Sequence, residues 1–304
     1  MGKIVNIGSR QRFDFHDENF QGVQINAILE SAAVNTAIGG TVDWDKVYVD
    51  ILLEQGGLPS RTIWSGKLKA LAMATAKHSK YFMDCAVGEY YTLNTEDADE
   101  AEQGISSVVV PFGTVINLDS GDKLQVDVKV DSAFTSGLTS VSASASYIEV
   151  EMVDGIGPQY FVPKLAVYTI QGSEANPKWS LGDNVQEVDF LWTPNTSVEQ
   201  DVYPLVSARI KSDRYNVHKE YHELYVAKLR DMEYDVIQVA EGIIPLIPAP
   251  CDKVNIELTM NSALVNADEC FIFVRSFETD AHLTQKSERM RAKHISHARA
   301  KALK

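Results

Sequence analysis

Two histidine pairs, a few closely spaced carboxylates and three cysteines are the residues of this 304-residue chain whose types and spacing could support chemistry. His218 and His222 stand four apart, which on a helix puts two imidazoles on one face at metal-ligand spacing. The acid between them, Glu220, is third in the segment rather than second, so the pattern is not that of a metalloprotease, and no third ligand lies nearby. His294 and His297 form a looser pair near the C-terminal end. Asp97 and Asp99 sit in an acidic run that lacks the sixth-position Gly and twelfth-position Glu of a calcium loop. Asp43 and Asp45 flank Trp44, as expected where a strand begins with an inward-facing Trp. Cys85, Cys251 and Cys270 make no disulfide framework and read as buried thiols. Asn195 to Ser197 matches a glycosylation sequon by chance. There is no nucleophile elbow, phosphate loop or dinucleotide fingerprint, and Gly155 to Pro158 reads as a turn. No catalytic residue, metal ligand or cofactor is assigned, and an enzyme is not expected.

The elements that would position these residues are mostly strands. Alternating or β-branched runs cover Gly22 to Leu29, Lys46 to Leu53, Ser106 to Ile116, Lys123 to Val130 and Ser146 to Val153. The second half adds Val162 to Ile170, Gln186 to Trp192, Val236 to Val239, Lys253 to Met260 and Glu269 to Phe277. Three segments read as helices: Gly66 to Met83, with Leu68, Leu71, Ala72, Thr75 and Phe82 on one face, His218 to Met232, and a stretch of the C-terminal tail. The longest apolar runs, Ser106 to Ile116 and Ile243 to Pro250, are too short to span a bilayer. Met1 to Arg12 lacks the apolar core of a secretory signal, so no secretion is expected.

Asp122–Ala133 lies over Asp252–Ala263 at a spacing of 130 residues, with four of twelve positions identical and the others matched in apolar or polar character. Each copy follows a strand-rich segment that itself follows an amphipathic helix, and each precedes another strand. Such a self-match predicts a duplication. The expected organisation is an N-terminal arm over 1–15, a first unit over 16–156, a second over 157–281 and a basic tail over 282–304. With so few helices to cover a parallel sheet, both units are expected to be β-sandwiches.

Charge is distributed unevenly. The net charge is -14, yet the last 19 residues hold seven basic side chains (Lys286, Arg289, Arg291, Lys293, Arg299, Lys301 and Lys304) against the single acid Glu288. An acidic body with a basic tail can face two environments, and the tail is the candidate for contact with anionic lipid, genome or an acidic neighbouring subunit. Glu96, Asp97, Asp99, Glu100 and Glu102 mark Gly88 to Gly104 as a solvent-facing acidic loop.

A β-sandwich repeated in tandem, with a helix between strands of each copy, resembles the double jelly-roll major capsid proteins of tailless icosahedral viruses with an internal membrane. The resemblance rests on Phe20–Leu29 as an early strand, and on Val47–Gly56 and Arg61–Leu71 as a strand, turn, strand and helix run. It covers 13–280, and a lipid-containing bacteriophage is the suspected source. It implies a mainly β fold of two tandem eight-stranded jelly rolls, each with one inserted helix. It also implies homotrimers with a pseudo-hexagonal footprint that tile a shell beside neighbouring capsomers and penton or minor capsid proteins. The chain would be made in the host cytoplasm and reside in the virion, its tail facing anionic lipid of the membrane, with no sequence-specific nucleic acid bound. The acidic loop and the basic tail depart from the family pattern.

Two other readings make different demands. A two-domain carbohydrate- or protein-binding module needs an exposed aromatic platform, for which Trp64, Trp179 and Trp192 are candidates, although core positions are expected for them. A β-sandwich glycoside hydrolase needs two carboxylates converging in a cleft.

Overall fold

The computed structural model describes residues 2–55, 60–77, 79–94, 100–157, 159, 161–171, 174–193, 204–214, 216–231, 243–247, 250–261 and 269–279. In the first half, β1 (Lys3–Asn6), β2 (Arg10–Phe15), β3 (Asn19–Val34), β4 (Gly39–Gly40), β5 (Val47–Glu54) and β6 (Arg61–Lys67) run into helices α1 (Leu68–Ala76) and α2 (Lys80–Ala86). There follow β7 (Tyr91–Thr92), β8 (Ala101–Asn117), β9 (Lys123–Val130), β10 (Leu138–Thr139) and β11 (Tyr147–Asp154). The second half holds β12 (Phe161–Ile170), β13 (Lys178–Gly182), β14 (Val185–Thr193), β15 (Leu205–Lys211) and β16 (Asn216–Glu220). Helix α3 (Tyr221–Asp231), β17 (Ile243–Ile247), β18 (Val254–Met260) and β19 (Glu269–Thr279) complete it.

These strands form two antiparallel sandwiches of the same topology. One sheet of the first runs β1-β11-β3-β8-β7 and the other β2-β9-β5-β6. In the second the orders are β12-β19-β14-β17 and β13-β18-β15-β16. With the two-residue strands β4, β7 and β10 set aside, each half has eight strands that interleave between two sheets in one sequence, a jelly roll, and its helix follows the fifth. The self-matching segments occupy equivalent places: β9 and β18 each lie second in their sheet, and Asp127 and Glu257, aligned in sequence, each oppose a basic residue of the edge strand, Arg12 and Lys178.

Alternation puts one side of each strand inside. On β5, Val47, Val49, Ile51 and Leu53 are buried and face Leu124, Val126, Val128 and Val130 of β9. Phe20, Trp44, Phe112 and Phe134 fill the first roll, and Phe190, Ile256, Leu258 and Ile272 the second. Each such side chain, fully buried, contributes roughly 1.5–3 kcal/mol of transfer free energy.

Several expectations are corrected. Residues 3–15, expected as an arm, supply β1 and β2, which pair with β11 and β9 because Val5 and the Phe13–Phe15 side reach the core while Arg10 and Arg12 lie over Asp127. The helix expected from Gly66 begins at Leu68, since Gly66 and Lys67 still pair with β5, and it is interrupted after Ala76. Ser79 then caps α2 by accepting from the Phe82 amide. The helix expected from His218 begins at Tyr221, because 216–220 form β16 against β15. Glu102, expected in a solvated loop, lies in β8: its amide is bonded to Ser31 Oγ and its carboxylate accepts from the Ile38 amide (3.4 Å). Glu100 is exposed. Glu96, Asp97, Asp99, the strand expected over 236–239, the sequon at 195–197 and the whole basic tail, with its helix and histidines, lie outside the described residues.

Candidate functional site

The residues singled out for chemistry do not converge. His218 is exposed on β16 opposite Arg209 and His222 is exposed on α3, so the helical face that would align their imidazoles does not exist. Among the described residues no group of three His, Cys, Asp or Glu could hold a metal ion. Asp43 caps the turn at Trp44, and Asp45 accepts from Lys67 Nζ (2.7 Å). All three cysteines are buried thiols outside any disulfide, and burial pushes Cys85 and Cys251 up, away from reactivity. Trp64 and Trp192 are core residues and Trp179 is half-buried on edge strand β13, so these three do not make an aromatic platform.

What the fold does build is a seam between the rolls. Helix α1 turns Leu68, Leu71 and Ala72 into its own core, and Thr75 Oγ1 donates to the Val109 carbonyl (2.8 Å), which caps the edge of β8. The opposite side of α1 meets the outer face of the second roll's β12-β19-β14-β17 sheet, where Met73 and Ala70 line a crevice with Val167, Thr169 and Phe271. Leu165, Leu191, Ile243 and Phe273 of that outer face belong to the first roll's apolar core, so one continuous core crosses from roll to roll.

Charge is buried in the same seam. Lys77, only 7% exposed, donates to Asp189 Oδ2 (2.8 Å) and to Glu187 Oε1, and Asp189 is fully buried. Arg275 Nη1 stands 3.2 Å from the other oxygen of Glu187. Burial lowers the pKa of Arg275, opposed by the neighbouring Asp189 carboxylate. Two cations and two carboxylates thus neutralise one another where water is largely excluded, an arrangement that tolerates only one relative placement of α1 and β14.

The connection between rolls is held by amides. Gln159 accepts at Oε1 from the Asn117 backbone N–H (2.9 Å) and from Gln55 Nε2 (3.1 Å), while Asn117 Nδ2 donates to the Gly157 carbonyl (3.0 Å). Gln55, Asn117 and Gln159 are all buried, which ties the linker to the ends of β5 and β8.

The outer faces of the other sheet in each roll carry a matching row of charge. Arg10 Nε donates to Asp127 Oδ1 (2.8 Å), Arg12 Nε to Oδ2 (3.2 Å), and both hold the Asp127 carboxyl below its usual range, with the Arg10 hydrogen bond the largest cause. In the second roll Lys178 pairs with Glu257 (2.8 Å) and lowers its pKa in the same way, with smaller contributions from Arg209 and His218. Sequence reasoning missed both the seam and these rows. A lysine late in an amphipathic helix reads as solvated, and only the repeat hinted that Asp127 and Glu257 had equivalent tasks.

No protein-family model matches the chain, and no curated protein matches it in sequence. Solved structures do match. The crystal structure of the STIV major capsid protein superposes with a TM-score of 0.53 at 12% identity, over 93% of this chain and 95% of that one. A chain in the atomic structure of Sulfolobus Turreted Icosahedral Virus gives 0.54 at 12% identity, over 96% and 95%. The major capsid protein P2 from bacteriophage PM2 gives 0.40 at 10% identity over 92% and 98%. With sixteen strands longer than two residues among the described residues, in two rolls of the same topology, and nearly the whole length of each STIV chain covered, this chain has the double jelly-roll fold that those structures share.

Proposed function

We propose that this chain is the major capsid protein of an icosahedral virus, a structural subunit and not an enzyme. The observation that carries the reading is coverage: the likeness takes in both rolls together, over 95% of each STIV chain, rather than one sandwich of a common type. The buried charges at the seam support it, because they fix two rolls as one rigid building unit. Three copies would bring six similar rolls into a pseudo-hexagonal capsomer, so that a threefold object fills sixfold positions in a shell. Neighbouring capsomers and penton or minor capsid proteins are the remaining protein partners. The units of the subunit are taken as 1–156 and 157–281, with β1 and β2 inside the first.

The basic tail, 282–304, is proposed to face the particle interior and bind anionic lipid of an internal membrane, where each cation near the surface contributes about 1 kcal/mol. The proposed contact with lipid is peripheral; among the described residues no helix is long and apolar enough to cross a membrane. The decisive experiment is the mass of the purified chain by light scattering together with negative-stain imaging. A species of three times 33.7 kDa with near-hexagonal outline is expected; a monomer that binds a glycan array would overturn the reading. Deletion of 286–304 should abolish binding to anionic vesicles while leaving neutral vesicles unaffected, and unchanged binding would remove the tail from that role.

A further inference from the structure

The two rolls share a topology, yet among the described residues their matching outer sheet faces are covered unequally. In the second roll the row Thr169–Phe271–Leu191–Ile243 runs across the sheet beneath the first roll, with Leu191 and Ile243 buried. The matching row of the first roll is Asn6–Tyr147–Ile28–Ile105, an aromatic followed by two aliphatic residues in the same strand order. There Tyr147, Ile28 and Ile105 are half-buried, and Ile4 one step away is 47% exposed.

The helices correspond as well. Both α1 and α3 directly follow the fifth roll strand, and counting from their first residues places Leu224 at the position of Leu71, both inward and buried. Val226 then stands at the position of Met73, which covers the second roll, and Leu229 at that of Ala76. Val226 is 47% and Leu229 48% exposed, large apolar side chains turned to solvent on a helix whose counterpart is buried there. Glu223, at the position of the small Ala70, folds back to accept from the Glu220 amide (3.0 Å). The first roll's outer face also carries two acids on β11, Glu149 and Glu151, opposite Asn26 and Gln24 of β3. In sequence Arg230 falls at the helix position of Lys77, the cation that the seam buries.

We infer that the outer face of β1-β11-β3-β8-β7 is the docking surface for α3 of a second copy of this chain, repeating between copies the contact that α1 makes within one. The occupant is a second copy because the contact already exists once, between equivalent elements, and its two unused halves are carried by the same chain. Helix on one copy and sheet on the next make a heterologous contact, which closes only as a ring. The inference extends the capsomer reading by naming the surfaces that would join its subunits.

The test uses the full chain in two variants, V226D/L229D on the helix side and I4D/Y147D on the sheet side, with circular dichroism and thermal unfolding verifying the fold. Each alone should weaken self-association by roughly 100-fold or more, as expected for carboxylates placed in a desolvated contact. Mixed in equal amounts they should form a heterodimer that grows no further, since only one intact helix face meets one intact sheet face. Should the sheet variant unfold, the double-cysteine chain N6C/V226C supplies a second readout: oxidation should give covalent oligomers up to the closed ring and no ladder in either single variant. Association unchanged in both charge variants, or no cross-link in an associated double-cysteine chain, would overturn the docking surface and leave the capsomer reading standing. A monomeric wild-type chain would overturn both.

Discussion

The amine of Lys77 sits between Glu187 and Asp189 with almost no water to solvate any of the three. Removing the amine takes a hydrogen-bonded cation from the fully buried Asp189 and from Glu187, whose other oxygen pairs with Arg275. Lys77→Met is therefore expected to cost about 3–5 kcal/mol of stability, read as a fall in the urea midpoint at constant slope. A loss below about 1 kcal/mol would mean that the acids find other solvation. Asp127 makes a prediction in pH. Its folded pKa lies below its ordinary 3.8, so the stabilisation it brings is fully present above that value and drains away as pH falls through the folded one. Asp127→Asn should lower stability at neutral pH and flatten the acid loss below pH 3.8 in the same titration; parallel acid profiles for the two proteins would refute it. Neither residue was legible as a site beforehand. Lys77 shares a helix with residues that do face solvent, and its partners lie 110 and 112 positions away.

Among the elements, those legible in the sequence were the ones whose burial is one-sided and local. β5 and β11 alternate because one face packs inward and the other is largely polar, and β9 alternates in residue type although Gln125 and Asp127 on its outward side are also buried. β2 hid because its outward side is charged for a long-range reason, the carboxylate of Asp127 beneath it. β16 hid because Val217 between Asn216 and His218 fits a helical period as well as a strand, and pairing with β15 decided the matter. The linker shows the same limit: Gly155–Pro158 read as a turn, with nothing to mark Gln159 as the side chain that ties it down. Gln159→Ala removes an acceptor from the Asn117 amide and from Gln55, leaving buried donors unpaired at about 1–3 kcal/mol. The expected result is a lower melting temperature together with a broader distribution of small-angle scattering dimensions. A stability loss with an unchanged scattering profile would show that the seam alone fixes the rolls.

At the scale of the whole molecule the rolls share a topology but not an equal need for each other. The second roll gives Val162, Leu165, Leu191, Ile243 and Phe273 to a core that is otherwise the first roll's, while the first roll contributes one side of α1 and parts of β6 and β8. Separation would thus expose a broad apolar sheet face on the second roll, together with Glu187 and Asp189 stripped of Lys77. On the first roll it would expose mainly Met73, Ala70 and a lysine that water solvates readily. Apolar area drawn from water contributes roughly 25 cal/mol per Å², so the loss falls unequally. A fragment of 1–156 is expected to stay soluble and to unfold cooperatively. A fragment of 157–281 is expected to bind a hydrophobic dye, to self-associate, and to unfold at lower urea than the same roll in the intact chain. Equal stability of the two fragments, with no dye bound by either, would show that the seam is a contact between two finished domains. The unequal outcome would instead make the first roll the template on which the second completes its fold, and would explain why a duplicated sandwich keeps its copies joined by six residues, 155–160, rather than by a long linker.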